Sequence, residues 1–322
     1  VGGSPRSGTT LLAAMLGAHD QVVCLPESPF IGNLALALRC GRVDRGAAEE
    51  VHRVIRGNFK FAFWKLTPAD LNACAKVTGP SYRDLIEAYV RCFAQRNSRP
   101  DAAFWADHSP STIMYSARLS SAFTDGKFIH IVRDGRAVCA SWIPLDWGPN
   151  TIVWAARAWA MHVGYGLAAE AALPPANVRR VTYEALAASP EKVLRPLCDW
   201  LGLPYQSTML TSSGLQVPAY TRNQHALIGA PADPKRIDRW RTRLTTREVE
   251  LFEYVTGDLL VNLGYDLAVS GGCFEPSKLE MLRIELTERT RQFMHFATSA
   301  LRRRRFRTSL SGELSAQESA RK

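Results

Sequence analysis

Gly3-Ser4-Pro5-Arg6-Ser7-Gly8-Thr9-Thr10 lies near the start of the chain and runs directly into the apolar helical stretch Leu11–Leu16. Two glycines that are separated by four residues and followed by a helix form a nest of backbone N–H groups that holds an anion. The helix N-terminus adds partial positive charge, and the serine and threonine hydroxyls add hydrogen-bond donors. The stretch therefore predicts a phosphate-binding loop, with a glycine-rich turn in an ordinary α/β protein as the alternative.

The cation of this loop stands in an unusual place. In the phosphate loops of nucleoside-triphosphate enzymes, a lysine follows the second glycine and reaches the terminal phosphates. Here Thr9 follows Gly8, and Arg6 supplies the positive charge two positions before that glycine. This pattern favours a ligand with a short phosphosulfate group over one with a γ-phosphate.

Short apolar runs alternate with longer helical patterns along the chain. A strand must lead into Gly3, and further strands are predicted at Gln21–Leu25, Ala103–Ala106, Lys127–Val132 and Asn177–Thr182. The predicted helices are Thr9–Ala18, Ser28–Leu38, Tyr82–Arg96, Ser111–Phe123, Gly135–Ile143, Val153–Ala171 and Pro190–Leu201. Such alternation is typical of an α/β protein, and it predicts a P-loop-type parallel sheet of about five strands with helices on both faces.

The pattern changes after Gly202. Residues 212–234 predict a long loop, and helical signal returns at Arg236–Arg241 and Thr246–Leu263. A charge-rich helix is predicted from about Pro276 to Arg305. We therefore expect one domain over residues 1–268, followed over residues 269–322 by a C-terminal helical extension and a disordered basic tail.

A second anion site is predicted around Arg133. The apolar strand at Lys127–Val132 runs straight into a helix, and Arg133 falls at the strand's carboxyl end, where ligands bind in open α/β sheets. Asp134 is a natural N-cap of that helix, and Ser141 lies about two turns into it. Arg133 and Ser141 could therefore hold one anion, although a structural ion pair for Arg133 and a surface hydroxyl for Ser141 are equally supported by this segment alone.

These motifs together resemble the sulfotransferases that use 3′-phosphoadenosine-5′-phosphosulfate (PAPS). Gly3–Leu12 resembles their 5′-phosphosulfate loop, and Phe128–Ser141 resembles their 3′-phosphate motif, with arginine and serine eight positions apart. Val181–Leu186 is similar to the next strand-and-helix segment, and Arg236–Trp240 to a late basic segment that closes over the nucleotide. The resemblance implies that residues 1–268 are the PAPS-binding domain. It implies PAPS contacts from Pro5, Arg6, Ser7, Gly8, Thr9, Thr10, Arg133, Ser141, Tyr183 and Arg236.

Within this family the chain looks most like the branch that contains protein-tyrosine sulfotransferases. Ala18-His19-Asp20-Gln21-Val22-Val23-Cys24-Leu25-Pro26-Glu27 follows that branch's order of helix end, short strand and acid. The match implies that Glu27 is the general base, with a simple ion pair to Arg6 as the alternative. The chain departs from this branch at two positions. Pro29 stands where the branch has an arginine that contacts the peptide, and His108 stands where the branch has a lysine.

The expected activity is transfer of the sulfuryl group from PAPS to a hydroxyl-bearing acceptor. The sequence does not identify that acceptor, and a peptidyl tyrosine, a glycan and a small hydroxyl compound remain open. Such in-line transfer needs positioning and electrostatic stabilisation more than covalent chemistry. Arg6, Glu27 and His108 are the candidate catalytic residues, and no metal is expected. Two alternatives remain at this point: a P-loop nucleotide or small-molecule kinase, and a non-enzymatic protein that binds polyanions.

Bulk composition limits the partners. The formal net charge of +10 favours anionic ligands in general, without selecting among them. No nucleic acid is expected, and the Arg302–Arg307 run is compatible with weak contact to an acidic membrane surface, although a solvated helix end is favoured. Seven scattered cysteines without a C-x-x-C pair argue against a disulfide scaffold and a structural zinc site, and we expect a reducing, cytoplasmic compartment.

Overall fold

The computed structural model describes residues 1–37, 45–77, 81–217, 228–269 and 274–296. Its strands are short, and every strand pair is parallel. In chain order the strands are β1 (Gly2–Gly3), β2 (Val22–Cys24), β3 (Phe104–Ala106), β4 (Phe128–Val132) and β5 (Val178–Thr182). The protein is therefore an α/β protein with parallel strand pairing, as the sequence predicts.

The helices of the described residues follow or precede these strands along the chain. They are α1 (Thr9–Gly17), α2 (Pro29–Ala37), α3 (Arg45–Gly57), α4 (Pro68–Ala75), α5 (Tyr82–Arg96), α6 (Ser116–Ala122), α7 (Gly135–Trp142), α8 (Ile152–Ala172), α9 (Tyr183–Ala188), α10 (Pro190–Leu201), α11 (Thr246–Asn262) and α12 (residues 278–296). Short 3₁₀ helices occupy Phe59–Trp64, Pro110–Tyr115, Ser207–Thr211, Pro234–Arg236 and Arg239–Thr242.

The strands form two hydrogen-bonded groups rather than one sheet of about five strands. One group has the order β1-β4-β5, and the other pairs β2 with β3. The chain after β3 turns into the Pro110–Tyr115 helix and lies against β1: a Cβ atom on Gly2 would come within 2.7 Å of the Ile113 backbone nitrogen. That helix therefore packs on one face of β1, while at the strand edge Val1 N donates to the carbonyl oxygen of Asp107, just past the end of β3, over 2.7 Å.

The sequence patterns also missed the helical segment between α2 and α5. Its α4 begins at a capping box in which Thr67 and Asp70 bond each other's backbone N–H groups, and Ser81 and Asp84 do the same for α5. The predicted helix at Ser111–Phe123 divides into the Pro110–Tyr115 3₁₀ turn and α6. The stretch at Arg236–Arg241, predicted helical, forms two 3₁₀ turns instead of an α-helix.

Two apolar clusters hold the strand ends in place. One surrounds β4 and β5 and includes Leu12 of α1 together with Ile131 and Val181. The other is rich in aromatic rings: Trp64 and Phe93 pack edge to face with ring centroids 5.3 Å apart. The clusters fix α1 against β4 and bring the Phe59–Trp64 turn beside the end of β2.

The described residues form two compact units. The first contains Val1–Val138 and Trp159–Thr242, and the second contains Cys139–Ala158 and the residues from Arg243 onward. None of the described helices combines the length and the apolar character that crossing a membrane requires. The predicted loop at residues 212–234 lies partly outside the described residues, and the Arg302–Arg307 run lies wholly outside them.

Candidate active site

The glycine loop and Arg133 lie at the same edge of the three-stranded group. Gly3 of β1 is in register with Ile131 of β4, so the loop after β1 and the residue after β4 leave neighbouring parallel strands in the same direction. Val132 is in register with Thr182, which places Tyr183 at that edge as well. Ligands of open parallel sheets bind at this carboxyl edge.

Gly8 has a backbone conformation and surroundings that exclude a side chain. Its φ is 100°, in the left-handed region that glycine adopts without strain. A Cβ atom here would lie 2.6 Å from the Tyr183 ring. The loop can therefore reach the start of α1 closely packed against Tyr183, with Thr9 and Thr10 buried in the first turn.

The Arg133 side chain spans the edge. Its Nη1 donates to the carbonyl oxygen of Arg6 over 3.1 Å, and its Nη2 donates to the carbonyl oxygen of Arg236 over 3.2 Å. The guanidinium lies 4.0 Å from the centre of the Tyr183 ring, within cation–π range. Arg6, Arg133, Tyr183 and Arg236, which are far apart in sequence, are thus brought together.

Several buried donors at this edge have no acceptor among the described residues. They are Ser7 Oγ, Arg133 Nε and Arg236 Nε. The nearest carboxylate to Arg236 Nε belongs to Asp233, at 3.8 Å, which is too long for a hydrogen bond. Unpaired buried donors cost free energy, so this cluster indicates a place for an acceptor-rich, anionic ligand.

Charge at the edge supports the same conclusion. Burial lowers the pKa of Arg6, the guanidinium groups of Arg133 and Arg236 lower it further, and the Glu27 carboxylate opposes the shift. Burial lowers the pKa of Arg133 as well. Arginine still stays protonated at neutral pH, so an anion bound here would relieve repulsion between like charges.

Asp134 and the late basic segment complete this side of the site. The Asp134 carboxylate accepts from the Arg136 backbone N–H over 2.9 Å, as an N-cap residue of α7 does, and pairs with the Arg136 guanidinium. That buried guanidinium lies 4.2 Å from the Trp240 ring centre. The contact anchors the segment that carries Arg236 beside the start of α7.

Glu27 and His108 follow the other strand pair in the same way. Cys24 of β2 is in register with Ala106 of β3, and Glu27 and His108 stand shortly after these strand ends. Ser28 fixes the backbone next to Glu27, because its N–H donates to Ser109 Oγ over 2.6 Å and its hydroxyl donates to Pro26 O over 2.7 Å. The strand-end position predicted for Glu27 is therefore rigidly held.

Lys60 is a site residue that the sequence patterns did not identify. Its ammonium group forms an ion pair and hydrogen bond with the Glu27 carboxylate, and both side chains are mostly buried. Trp64, one turn further along the same 3₁₀ helix, donates to Ser28 Oγ over 3.1 Å and so docks this helix beside Glu27. No local motif could have paired residues 33 positions apart, although Asn58 is a recognisable cap at the start of that turn.

His108 is a buried, neutral imidazole. Burial lowers its pKa, and the charges of Glu27 and Asp107 only partly oppose that shift. Its Nδ1 lies 3.9 Å from the Cys24 sulfur, and burial raises the pKa of that thiol to about 12. The lowered pKa of His108 favours a neutral imidazole, which can donate a hydrogen bond from one ring nitrogen and accept one at the other.

Pro5 and Ser141 are two further residues that the sequence predicts as donor ligands. Pro5 is half-buried in the glycine loop. Ser141 is half-buried in α7 and belongs to the second unit, so its assignment as a ligand stays a prediction. No group of three or more His, Cys, Asp or Glu side chains suited to a metal ion occurs in the part of the chain that the structure describes.

The sequence that forms this arrangement of strand ends matches the model of a known protein family. The model of the sulfotransferase family matches residues 1–207, which include the glycine loop, Glu27, Lys60, His108 and Arg133. The chain belongs to the sulfotransferase family. Its family membership makes it a transferase that moves sulfuryl groups.

Individual relatives agree with this assignment. Protein-tyrosine sulfotransferase 2 of Gallus gallus is 25% identical over 280 residues, covering 83% of this chain and 68% of the relative. The nodulation protein NoeE of Sinorhizobium fredii (strain NBRC 101917 / NGR234) is 27% identical over 297 residues, covering 82% and 65%. The predicted similarity to the branch with protein-tyrosine sulfotransferases is thereby confirmed.

Solved structures show the same fold. The sulfotransferase domain of the Synechococcus PCC 7002 olefin synthase superimposes with a TM-score of 0.61 at 24% identity, covering 82% of this sulfotransferase and 93% of that domain. The sulfotransferase domain from the curacin biosynthetic pathway gives a TM-score of 0.54 at 19% identity, covering 82% and 96%.

Proposed function

We propose that this sulfotransferase uses PAPS as its donor and transfers the sulfuryl group to an acceptor hydroxyl, with Glu27 as the general base. The observation that carries the donor assignment is the set of unpaired donors on Ser7, Arg133 and Arg236 beside the glycine loop. PAPS has a phosphosulfate at one end and a 3′-phosphate at the other, which suits two cation-lined positions on one sheet edge.

The residues at the edge divide naturally between the two ends of such a donor. Backbone N–H groups of the glycine loop, the Ser7 hydroxyl, Thr9, Thr10 and Arg6 would hold the phosphosulfate at the N-terminus of α1. Arg133 and Arg236, with Ser141 and Tyr183 as further predicted contacts, would hold the 3′-phosphate. Charge-assisted hydrogen bonds of this type contribute about 1.5–3 kcal/mol each.

The donor supplies a sulfuryl group on a phosphate leaving group, so the sulfur–oxygen bond to that phosphate breaks as the acceptor oxygen bonds to sulfur. Glu27 would take the proton of the acceptor hydroxyl. Lys60 keeps the Glu27 carboxylate ionised and oriented until then, because an adjacent cation favours the charged form. Arg6 and the loop amides would stabilise the charge that develops on the departing phosphate.

His108 has a separate part in this proposal. A neutral imidazole can donate a hydrogen bond from its protonated ring nitrogen without adding a full positive charge beside Lys60. It would therefore stabilise an oxygen of the sulfuryl group. The branch has a lysine where this chain has His108. Lys60 would supply a positive charge near that position in its place.

The acceptor is a hydroxyl compound, and a tyrosyl hydroxyl of a polypeptide is the candidate favoured by the protein-tyrosine sulfotransferases among the relatives. Pro29 stands where that branch has a peptide-contacting arginine, so this chain lacks that contact at the matching position. An acceptor that needs the arginine contact at this position for binding should be a poor substrate.

Calorimetry with 3′,5′-diphosphoadenosine and with ATP tests the donor assignment. We expect clear preference for the 3′-phosphorylated nucleotide in the absence of magnesium. Equal affinities for the two nucleotides would contradict a 3′-phosphate site and favour the kinase alternative. Transfer of labelled sulfate from PAPS to a tyrosyl peptide and to a simple phenol, compared at equal acceptor concentration, then separates the acceptor classes.

A further inference from the structure

Helix α12, within the second unit, turns a polar face toward its neighbours. Glu288 is fully buried, and one of its carboxylate oxygens accepts from the backbone N–H groups of Asn150 and Thr151 and from the Thr151 hydroxyl, each over 2.9 Å. These N–H groups lie at the N-terminus of α8, where backbone donors lack helical partners and a negative charge is stabilising.

Further polar contacts fix the same orientation along the length of α12. Glu280 forms a two-pronged ion pair with Arg247 of α11, at 2.9 and 2.7 Å. Glu285 accepts from the Trp154 indole N–H over 3.1 Å, and His295 bonds the Asn150 side chain over 3.0 Å. The inward side of α12 is therefore defined by charged and polar residues.

The opposite side of α12 carries an apolar stripe that is exposed. Its residues recur at helical spacing, and each is more than half exposed: Leu279, Leu282, Leu286, Phe293 and Phe296. This arrangement inverts the usual amphipathic surface helix, whose apolar face packs on the core. A contiguous exposed apolar surface of this kind marks a site of interaction.

The charges beside the stripe are basic. Lys278 and Arg283 flank its first half, and Arg289 lies between Leu286 and Phe293, where its long side chain can extend past the apolar groups. Two acids near the stripe are paired, Glu280 with Arg247 and Glu285 with Arg289, so Lys278 and Arg283 supply the basic charge beside it. In sequence, the stripe is followed closely by five arginines within Arg302–Arg307.

We propose that the apolar stripe of α12, together with the basic sequence after it, docks onto the surface of an anionic lipid bilayer. Leucine and phenylalanine side chains would enter the boundary between headgroups and acyl chains, while the lysine and arginine side chains meet the phosphates. Apolar burial and basic clusters each contribute to such binding, and the combination is the pattern of helices that lie in the membrane interface. The proposal is independent of the donor and acceptor assignments.

Vesicle sedimentation with the full chain tests this surface. Wild-type protein should sediment with vesicles of about three parts phosphatidylcholine to one part phosphatidylserine, and not with pure phosphatidylcholine. In the double variant Leu286→Glu with Phe293→Glu, the vesicle partition coefficient should fall about tenfold or more. The reason is that two apolar side chains are no longer available to be buried in the bilayer. The matched control is Val261→Glu with Leu267→Glu, two exposed apolar residues elsewhere in the same unit, which should bind as the wild type does.

A second double variant measures the contribution of the basic sequence separately from that of the stripe. Arg303→Glu with Arg305→Glu should reduce binding about tenfold or more and weaken its dependence on salt. Thermal unfolding midpoints verify that each variant is folded. Equal binding of the stripe variant and the wild type, or no binding of the wild type to anionic vesicles, would overturn the proposal. If the wild type were a dimer that did not bind vesicles, and the stripe variant were a monomer, the stripe would contact a second copy of the chain. That result would also overturn the proposal.

Discussion

Arg133 donates a hydrogen bond from Nη1 to the carbonyl oxygen of Arg6 over 3.1 Å, joining residues 127 positions apart. The bond arises because β1 and β4 are paired in parallel, so the glycine loop and the residue after β4 emerge side by side. With the Tyr183 ring within cation–π distance as well, the Arg133 guanidinium is held at the strand edge before a ligand binds. Such preorganisation lowers the ordering cost of binding an anion.

Replacing Arg133 should impair recognition of one phosphate of the nucleotide. Arg133→Ala should weaken binding of 3′,5′-diphosphoadenosine by about tenfold to a hundredfold, since it removes charge-assisted hydrogen bonds. The affinity for ATP, which lacks a 3′-phosphate, should fall much less. Calorimetry measures both, with Arg195→Ala, an exposed arginine of α10, as the matched control. Equal losses for the two nucleotides would place Arg133 outside 3′-phosphate recognition.

Removing the Glu27 carboxylate should separate binding from chemistry. Glu27→Gln keeps the size of the side chain but cannot take a proton, so we expect kcat to fall by about 10²–10⁴-fold. Binding of 3′,5′-diphosphoadenosine should stay close to that of the wild type. Asp101→Asn, at an exposed acid of the same unit, is the control and should leave both quantities unchanged. Unchanged turnover in Glu27→Gln would remove Glu27 from the mechanism.

Lys60 should act on the reaction through Glu27. Lys60→Met removes the cation beside the carboxylate, which disfavours its ionised form. We expect kcat to fall about tenfold and the acidic limb of the pH–rate profile to move to higher pH. Lys60→Arg, which keeps the positive charge, should restore the limb toward its wild-type position. A lowered kcat with an unmoved limb in Lys60→Met would assign Lys60 a purely structural role.

The patterns that predicted this site were local ones. The glycine loop, the arginine after β4 and the acid after β2 each sit next to a strand end, and parallel strands bring their carboxyl ends to one edge. Lys60 could not be predicted, because its place depends on how the Phe59–Trp64 turn packs through Trp64 and Phe93 in the aromatic cluster. The division of the strands into two hydrogen-bonded groups was also missed, because the apolar pattern of a strand does not show which other strand it will pair with.

Glu170 should make stability depend on pH in acid. Burial alone would raise the pKa of its carboxyl group, but hydrogen bonds from His130 and Arg180 outweigh burial and lower it from 4.5 to about 2. A depressed carboxyl pKa contributes stability that is complete above the unfolded-state value and is lost as the pH falls toward the folded-state value. The contribution, about 2–3 kcal/mol, should therefore be present at neutral pH and disappear between about pH 4.5 and pH 2.

Urea unfolding of Glu170→Gln against the wild type measures this contribution. At neutral pH the variant should be less stable by about 2–3 kcal/mol, because the Arg180 guanidinium loses its anion and His130, buried in β4, loses a charged acceptor. The difference should stay constant down to about pH 5 and then shrink as Glu170 in the wild type becomes protonated. Glu191→Gln, which breaks an exposed pair with Arg195, should change stability by less than about 0.5 kcal/mol at any pH. If the difference between Glu170→Gln and the wild type did not vary with pH, the effect would arise from packing rather than from the charge of the carboxylate.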